Sequence, residues 1–563
     1  MRLLTMRRSL RSAVFVGLMG ALGLSGATVG MAGAAATPSS TSYANAVVGT
    51  IDSAAAEASL PTTSQADARV AQHLQVNRRA TRALAGTASA QITGSSVSSL
   101  NESGGGVPVS FNGTSSLDSA ITNFGAEFEP PDQGLCAGNG FVLEPVNSAY
   151  RIYRPVGTTA NSIAGPFNVN NLYHESPRAF TSDPRCYFDR PTNTWFAIIL
   201  FIASSTSGRF GNSSSLDIAV NPSGDPTTDW TNYHIDTSDL GGNGCPCFGD
   251  QPLLGIDASN LYVSTNEFSI NGPQFNGAQI YAFSKADLVA SAHSVHFAHF
   301  SNLSNSDGSV AASVQPAITN GPANAEYFMD SLDPTSNGDN RIGVWALTNQ
   351  GAVASGQSPT LSRILITSEP YASPPNAVQK GSSSLLVTDD DRMQQVQFIN
   401  GSLWGGLSTA LSIPGDTAQR SAAAWFQVQP QLSGTQVGSA AIGRQGYAAV
   451  LGKYLLYPAL QADSRGNAAM VFTLSSSQDF GSAAYAALAR GQSSFGDVHI
   501  VAAGTGPHDP DATRWGDYSW AQLDPVQDSV WLSTEYIPPV SSQTPDGNNN
   551  WGTEVFQVNL GGD

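Results

Sequence analysis

The chain has 563 residues, with 25 Lys and Arg against 43 Asp and Glu and a formal net charge of −18. That excess of negative charge disfavours nucleic acid and anionic lipid as partners. Beyond the N-terminal segment there is no continuous apolar run of about 18 residues, so no further membrane-spanning helix is expected.

Residues 1–36 read as an export signal. Arg2, Arg7, Arg8 and Arg11 form a positive start, an apolar Gly-rich stretch runs from Ala13 to Met31, and Ala32-Gly33-Ala34 and Ala34-Ala35-Ala36 both fit a signal-peptidase site. Arg7-Arg8 before Ser9-Leu10 hints at twin-arginine export. An uncleaved anchor is the competing reading, but no stop-transfer pattern follows. Cleavage removes four arginines and makes the mature chain still more acidic. Secretion to an extracellular location is therefore expected. So is a monomer whose partner is an extracellular glycan or protein.

Residues 37–106 differ from the rest of the chain. Ala, Ser and Thr dominate, Ala66–Leu84 fits one amphipathic helix, and Ser98–Gly106 reads as a Gly/Ser/Asn linker. We expect this segment to be flexible or loosely docked, and 37–100 to stay out of the core.

From Val107 a repeat sets the fold. Seven segments enter a short apolar strand through a polar turn, at Asp132-Gln133, Asp183-Pro184, Asp250-Gln251, Gln315-Pro316, Asp391-Arg392, Tyr457-Pro458 and Asp517-Tyr518. A second and a third strand follow in each segment, and a fourth in most. Such a period predicts an all-β seven-bladed β-propeller over 107–563. Two stacked sandwiches would not explain a four-strand repeat, and a β-helix needs a shorter coil. The last segment lacks a fourth strand, and 107–112 is a spare one. Closing the ring through that strand, against 552–558, removes exposed edges.

The four cysteines, Cys136, Cys186, Cys245 and Cys247, allow three pairings in an exported chain. Cross-blade bridges are expected, Cys186 with Cys247 or Cys245 and Cys136 with the other, because a Cys-x-Cys bridge is strained.

Four stretches carry a resemblance: FGDQPLLGIDASNLYVSTNEFSINGPQFNGAQIYAFSK from Phe248, NGDNRIGVWALTN, TDDDRMQQVQF and RWGDYSWAQLD. Over about 130–560 the chain resembles a group of secreted bacterial proteins described as propeller-like or sialidase-like. That likeness implies a propeller and brings no established activity. The Asp-box pattern of sialidases starts at Ser477-Gln478-Asp479-Phe480-Gly481, but Ala484 stands where an aromatic is required.

The repeat places Asp132, Asp183, Asp250, Asp391 and Asp517 at equivalent positions around one channel mouth, with Arg185, Arg392 and Tyr518 just beyond. Three readings stay open. Each Asp fixes its own turn. Alternatively Asp250, Asp391 and Asp517, with nearby carbonyls, bind Ca²⁺. Or two carboxylates act as acid and base on a glycan, helped by Arg185 or Arg392. Arg185, Arg392 and Arg514 could converge as a triad for a substrate carboxylate. TDDDR at 388–392 and Asp333–Asn340 are acidic turns without EF-hand spacing that could still ligate Ca²⁺ through a turn. HExxH, G-x-S-x-G and P-loop motifs do not occur. The leading expectation is a binding or cell-envelope interaction module. The alternative is a carbohydrate-active hydrolase or lyase, with Trp515, Tyr518, Trp520 and Trp551 as sugar-stacking rings near Asp517 and Glu535.

Overall fold

The computed structural model describes residues 41–42, 46–53, 92–94, 98–101, 107–205, 210–332, 338–508, 514–524, 526–527, 529–539 and 550–560. The export signal at 1–36, the helix expected at Ala66–Leu84 and most of the acidic turn at Asp333–Asn340 lie outside them.

The chain is nearly all-β. Strands pair into antiparallel meanders at 136–168, 180–236, 247–300, 315–371, 396–448 and 454–502, each of four consecutive strands. A seventh holds Trp520–Leu523, Ser529–Tyr536 and Gly552–Asn559. Its fourth strand is the expected one from the other end of the domain, Val109–Ser115. Val555 pairs with Phe111, and Gln557 with Val109.

Burial explains the long apolar runs. Thr194–Ser204 is buried along most of its length, as is Asn260–Ser269, because both faces of each sheet pack on neighbours. The first strands meet edge to edge. Ala317–Asn320 pairs in parallel with Val396–Ile399, and Ile256 with Ile318. Glutamine amides extend this contact. Gln395 Nε2 donates to the Ala521 carbonyl at 2.7 Å while its Oε1 accepts from Ala521 N–H at 2.9 Å. Gln522 exchanges the same two bonds with Ala137, and Gln461 Oε1 accepts from Leu523 N–H. Each side chain replaces the ladder bonds that diverging strands cannot make.

The N-terminal segment departs from expectation. Val47–Asp52 adds an antiparallel strand to Ser294–Phe300, Thr41–Ser42 pairs with the fourth strand of the fourth meander, and Leu100–Asn101 pairs in parallel with Val498–His499. Ile51 and Ile92 are buried in the core clusters, so the expectation that 37–100 stays out of the core is corrected at those two residues. The physical reason is that an outermost strand leaves an unpaired edge, which short peptide segments cover.

The cysteine pairing is also corrected. Cys136 pairs with Cys186 across the first two meanders, and Cys245 pairs with Cys247. The Cα separations of 5.6 Å and 4.4 Å both lie in the bridging range. Cys136 and Cys186 lie on adjacent first strands and are fully buried.

Candidate functional site

The repeat turns do share a device, at the expected residue in three turns and one or two residues away in three others. A residue with left-handed backbone stands at Asp132 (φ 46°), Asp183 (61°), Gln251 (49°), Ser313 (48°), Asp389 (51°) and Tyr457 (51°). Register shifts fall at Asp183-Pro184, Gln251-Pro252 and Tyr457-Pro458, where two residues oppose one on the next strand. The equivalent residues are therefore Gln251, Ser313 and Asp389, not Asp250, Gln315 and Asp391. In four of these turns, at Asp183, Gln251, Ser313 and Tyr457, the N–H is caught by a side chain from another segment of the chain. Asn147 Oδ1 accepts from Asp183 N–H at 2.9 Å, Asn266 Oδ1 from Ser313 N–H at 2.8 Å and Ser408 Oγ from Tyr457 N–H at 3.2 Å.

At this end of the first strands six carboxyls and three guanidiniums form one charge cluster: Asp132, Asp183, Asp250, Asp389, Asp390 and Asp517 with Arg185, Arg392 and Arg514. The expected Asp183, Asp250, Asp517, Arg185, Arg392 and Tyr518 are brought together. Asp391 faces another way. It is fully buried with its charge beside Tyr371, and Asp389 and Asp390 take its place. Arg392 contacts Asp389 at 3.1 Å and Asp390 at 2.6 Å, and it donates to Gln251 Oε1. Arg514 pairs with Asp517.

The three arginines thus converge, but two are neutralised by the chain's own carboxylates. Arg392 faces Asp389 and Asp390, and Arg514 faces Asp517. Among the described residues, three-donor groups close enough to share one ion occur at two other places, and neither includes Asp250, Asp391 or Asp517.

Arg185 behaves differently. It is buried, its guanidinium lies 3.1 Å from the centroid of the Tyr518 ring and 5.1 Å from that of Trp520, and its Nε has no hydrogen-bond partner among the described residues. Burial pulls its pKa down against the pull of Tyr518 and the surrounding Asp charges. The Tyr518 hydroxyl is likewise buried without a partner.

Six carboxyls against three guanidiniums leave an excess that protons compensate. Burial, with the charges of Asp517 and Asp183, pushes Asp132 well above the carboxylate range. Burial and the Asp183 charge do the same to Asp250, whose carboxyl makes no hydrogen bond among the described residues. Asp517 rises to about 6: burial lifts it, Arg514 opposes, and Asp389 and Asp183 add to the rise. Its side chain is 14% exposed, more than that of Arg514 beside it. The neighbouring turn is tight. Gly516 N–H donates to Glu535 Oε2 at 2.5 Å, and a Cβ at 516 would stand 2.6 Å from that oxygen.

Comparisons with known proteins add little. No protein-family model and no curated protein matches the chain. Among solved structures, an α-L-arabinanase from Penicillium chrysogenum aligns at 11% identity over 80% of this chain and 99% of that one, with a TM-score of 0.34. An exo-β-1,3-galactanase from Clostridium thermocellum aligns at 10% identity over 80% and 96%, with a TM-score of 0.29. The endosialidase of phage phi92 aligns at 8% identity over 67% of each chain, with a TM-score of 0.35. Likenesses this weak carry no chemistry over to this chain.

The aromatic platform expected around Asp517 is corrected. Trp515, Trp520 and Trp551 are fully buried and Tyr518 nearly so, and their bulk serves packing. A cleft of about 460 Å³ lies past the other end of the first strands, between Gly138, Phe141, Trp531 and Gln557. None of the clustered carboxyls lines it. The sequence marked Asp389 and Asp390 only as part of the TDDDR run and did not mark Gln251 as a site residue. The TDDDR run was a signal for the first two, and Gln251 was visible only as the residue before Pro252.

Proposed function

We propose that this chain is an exported seven-bladed propeller, the seven meanders being its blades, that hydrolyses a glycan at the carboxylate–arginine cluster. The observation that carries the reading is the pair Asp250 and Asp517. They belong to one charge cluster but have opposite surroundings: Asp250 lacks hydrogen-bond donors, while Asp517 is paired with Arg514 and partly open to solvent. Two carboxyls whose environments push their proton affinities apart are what acid–base cleavage of a glycosidic bond requires. In this reading Asp250 gives its proton to the glycosidic oxygen as the anomeric C–O bond breaks. Asp517 takes a proton from the water that attacks the anomeric carbon. Arg185, without an ion pair, donates to sugar hydroxyls. Two disulfides support export. No helix among the described residues is long and apolar enough to cross a membrane.

The test is a polysaccharide panel scored for new reducing ends with wild type and Asp250→Asn. Cleavage by wild type alone supports the reading. Retention of a glycan without cleavage would replace it with the binding-module reading, and neither cleavage nor retention removes the glycan altogether.

A further inference from the structure

A second polar cluster sits where the first meander hands over to the second. Asp217 on Phe210–Asn221 and His234 on Thr231–Asp236 are direct cross-strand partners, so their side chains share one face. Glu175 reaches them from the connection after the turn Val169–Tyr173. His234 Nδ1 lies 3.1 Å from Asp217 Oδ1 and 3.2 Å from Glu175 Oε1. The side chains of Asp217 and Glu175 are only 1% and 3% exposed. The second oxygen of each, Asp217 Oδ2 and Glu175 Oε2, is buried with no hydrogen-bond partner among the described residues.

We propose that Glu175, Asp217 and His234 bind a divalent transition-metal ion. The spacing fits: ligand atoms held about 2.1 Å from one ion stand about 3.0–3.4 Å apart in octahedral or tetrahedral sets. An imidazole with two carboxylates suits Zn²⁺, Mn²⁺ or Fe²⁺, whereas Ca²⁺ and Mg²⁺ take all-oxygen shells. His234 is 26% exposed at its side chain and gives an entry path. Three protein donors leave further positions for water or a small ligand.

The competing arrangement is a protonated His234 bridging the two acids. Burial opposes that charge, but the bonds from Asp217 and Glu175 outweigh it and lift the imidazole to about 10. One Nδ1–H and the Ser215 hydroxyl, which bonds Asp217 Oδ1 at 2.6 Å, both serve inner oxygens. Neither reaches Oδ2 or Oε2. An ion chelated by both oxygens of each carboxylate satisfies what that bridge leaves bare.

The test uses the mature, non-reduced chain, stripped with chelator, and titrates Zn²⁺ and Mn²⁺ separately by calorimetry. Non-reducing conditions keep the Cys245–Cys247 bridge closed, so no thiolate competes. The expected result is one equivalent bound and a raised Tm, with affinity lowered at least about tenfold in Asp217→Asn and in His234→Gln. Both substitutions keep size and polarity, and circular dichroism of each metal-free variant checks that it folds. Asp517→Asn should bind the ion as wild type does, since the site is independent of the acid cluster. Absence of saturable binding of either ion to wild type means a protonated bridge only and overturns the proposal. Undiminished binding in both variants overturns it as well.

Discussion

The Asp183 carboxylate accepts a hydrogen bond from the Gln251 backbone N–H at 3.1 Å, across the seam between the second and third meanders. Asp132 does the same for Asp517 N–H at 3.2 Å, joining the first meander to the seventh. Asn147 lies between these two acids, donating to Asp132 Oδ2 at 2.6 Å and accepting from Asp183 N–H. The groups that latch the ring are thus the ones that crowd charge at its end. A structural role and a chemical one share the same atoms, so substitutions must be chosen to separate them.

Asp183 offers such a separation. Asp183→Ala removes the acceptor for Gln251 and puts alanine at a left-handed φ of 61°. The lost bond costs about 1–3 kcal/mol and the backbone about 1–2 kcal/mol. Asp183→Asn keeps an acceptor and a residue that tolerates this conformation, so it should lose less than half as much. Urea unfolding of both variants measures the difference. Equal losses would show that the latch contributes nothing beyond charge.

Much of the architecture was legible because burial and closure leave marks in the sequence. Val109–Ser115 stood out as a strand without a hairpin partner, just as the last meander lacked its fourth strand. The register of the polar turns was legible at Asp132, Asp183 and Tyr457 but not at the third, fourth and fifth turns. At a bulge two residues face one, so Asp250 and Gln251 both fit a pattern that only backbone geometry resolves. Asp391 failed for a related reason: three consecutive Asp residues offer three phases, and the left-handed residue is Asp389. The docking of Ile51 was hidden because VVGTID is short and lies in a low-complexity segment. The metal-like triad was invisible because Glu175, Asp217 and His234 come from three elements whose approach depends on strand pairing.

Stability should fall as pH rises from 6 to 8. Burial raises Asp330, Glu267 and Glu554 to about 7. A raised carboxyl binds its proton more tightly in the folded state, so its contribution is full below the unfolded pKa and is lost as pH climbs through the folded one. A group at about 7 forfeits about 1.4 kcal/mol between pH 6 and 8. Buried neutral His299 and His508, each lowered to about 4 by burial, act oppositely and cost stability below about 6.5. The three carboxyls outweigh the two histidines, so the Tm should fall steadily with rising pH up to about 8. Asp330→Asn, whose amide oxygen can still accept from Trp345 Nε1, should flatten the alkaline slope. An unchanged slope in that variant would remove Asp330 from the account.

The two disulfides should differ in weight. Chain-entropy arguments give about 4 kcal/mol for a bridge spanning 50 residues, as Cys136–Cys186 does, and about 1.2 kcal/mol for one spanning 2. Replacing Cys136 and Cys186 together by Ala should therefore lower stability well over twice as much as replacing Cys245 and Cys247. Non-reducing peptide mapping checks the pairing itself. A peptide joining Cys186 to Cys245 or Cys247 would contradict it.

The catalytic reading is tested most sharply by its pH profile. On any glycan the protein cleaves, kcat/KM should fall below about pH 6, where Asp517 takes up a proton and can no longer accept one from water. At higher pH it should fall again as Asp250, whose proton is held by burial and the Asp183 charge, gives that proton up. Asp250→Asn and Asp517→Asn should each lower kcat by about 10²–10⁴, and each should erase the limb it owns. Arg185→Met should instead raise KM and leave both limbs in place, because that guanidinium has no carboxylate partner to lose. These effects separate chemistry from latching. The Asp132 and Asp183 bonds to Asp517 N–H and Gln251 N–H persist in all three variants, so Tm should move little while the profile changes. If both acid variants keep full activity with both limbs, the cluster only holds the ring together, and the chemistry lies elsewhere.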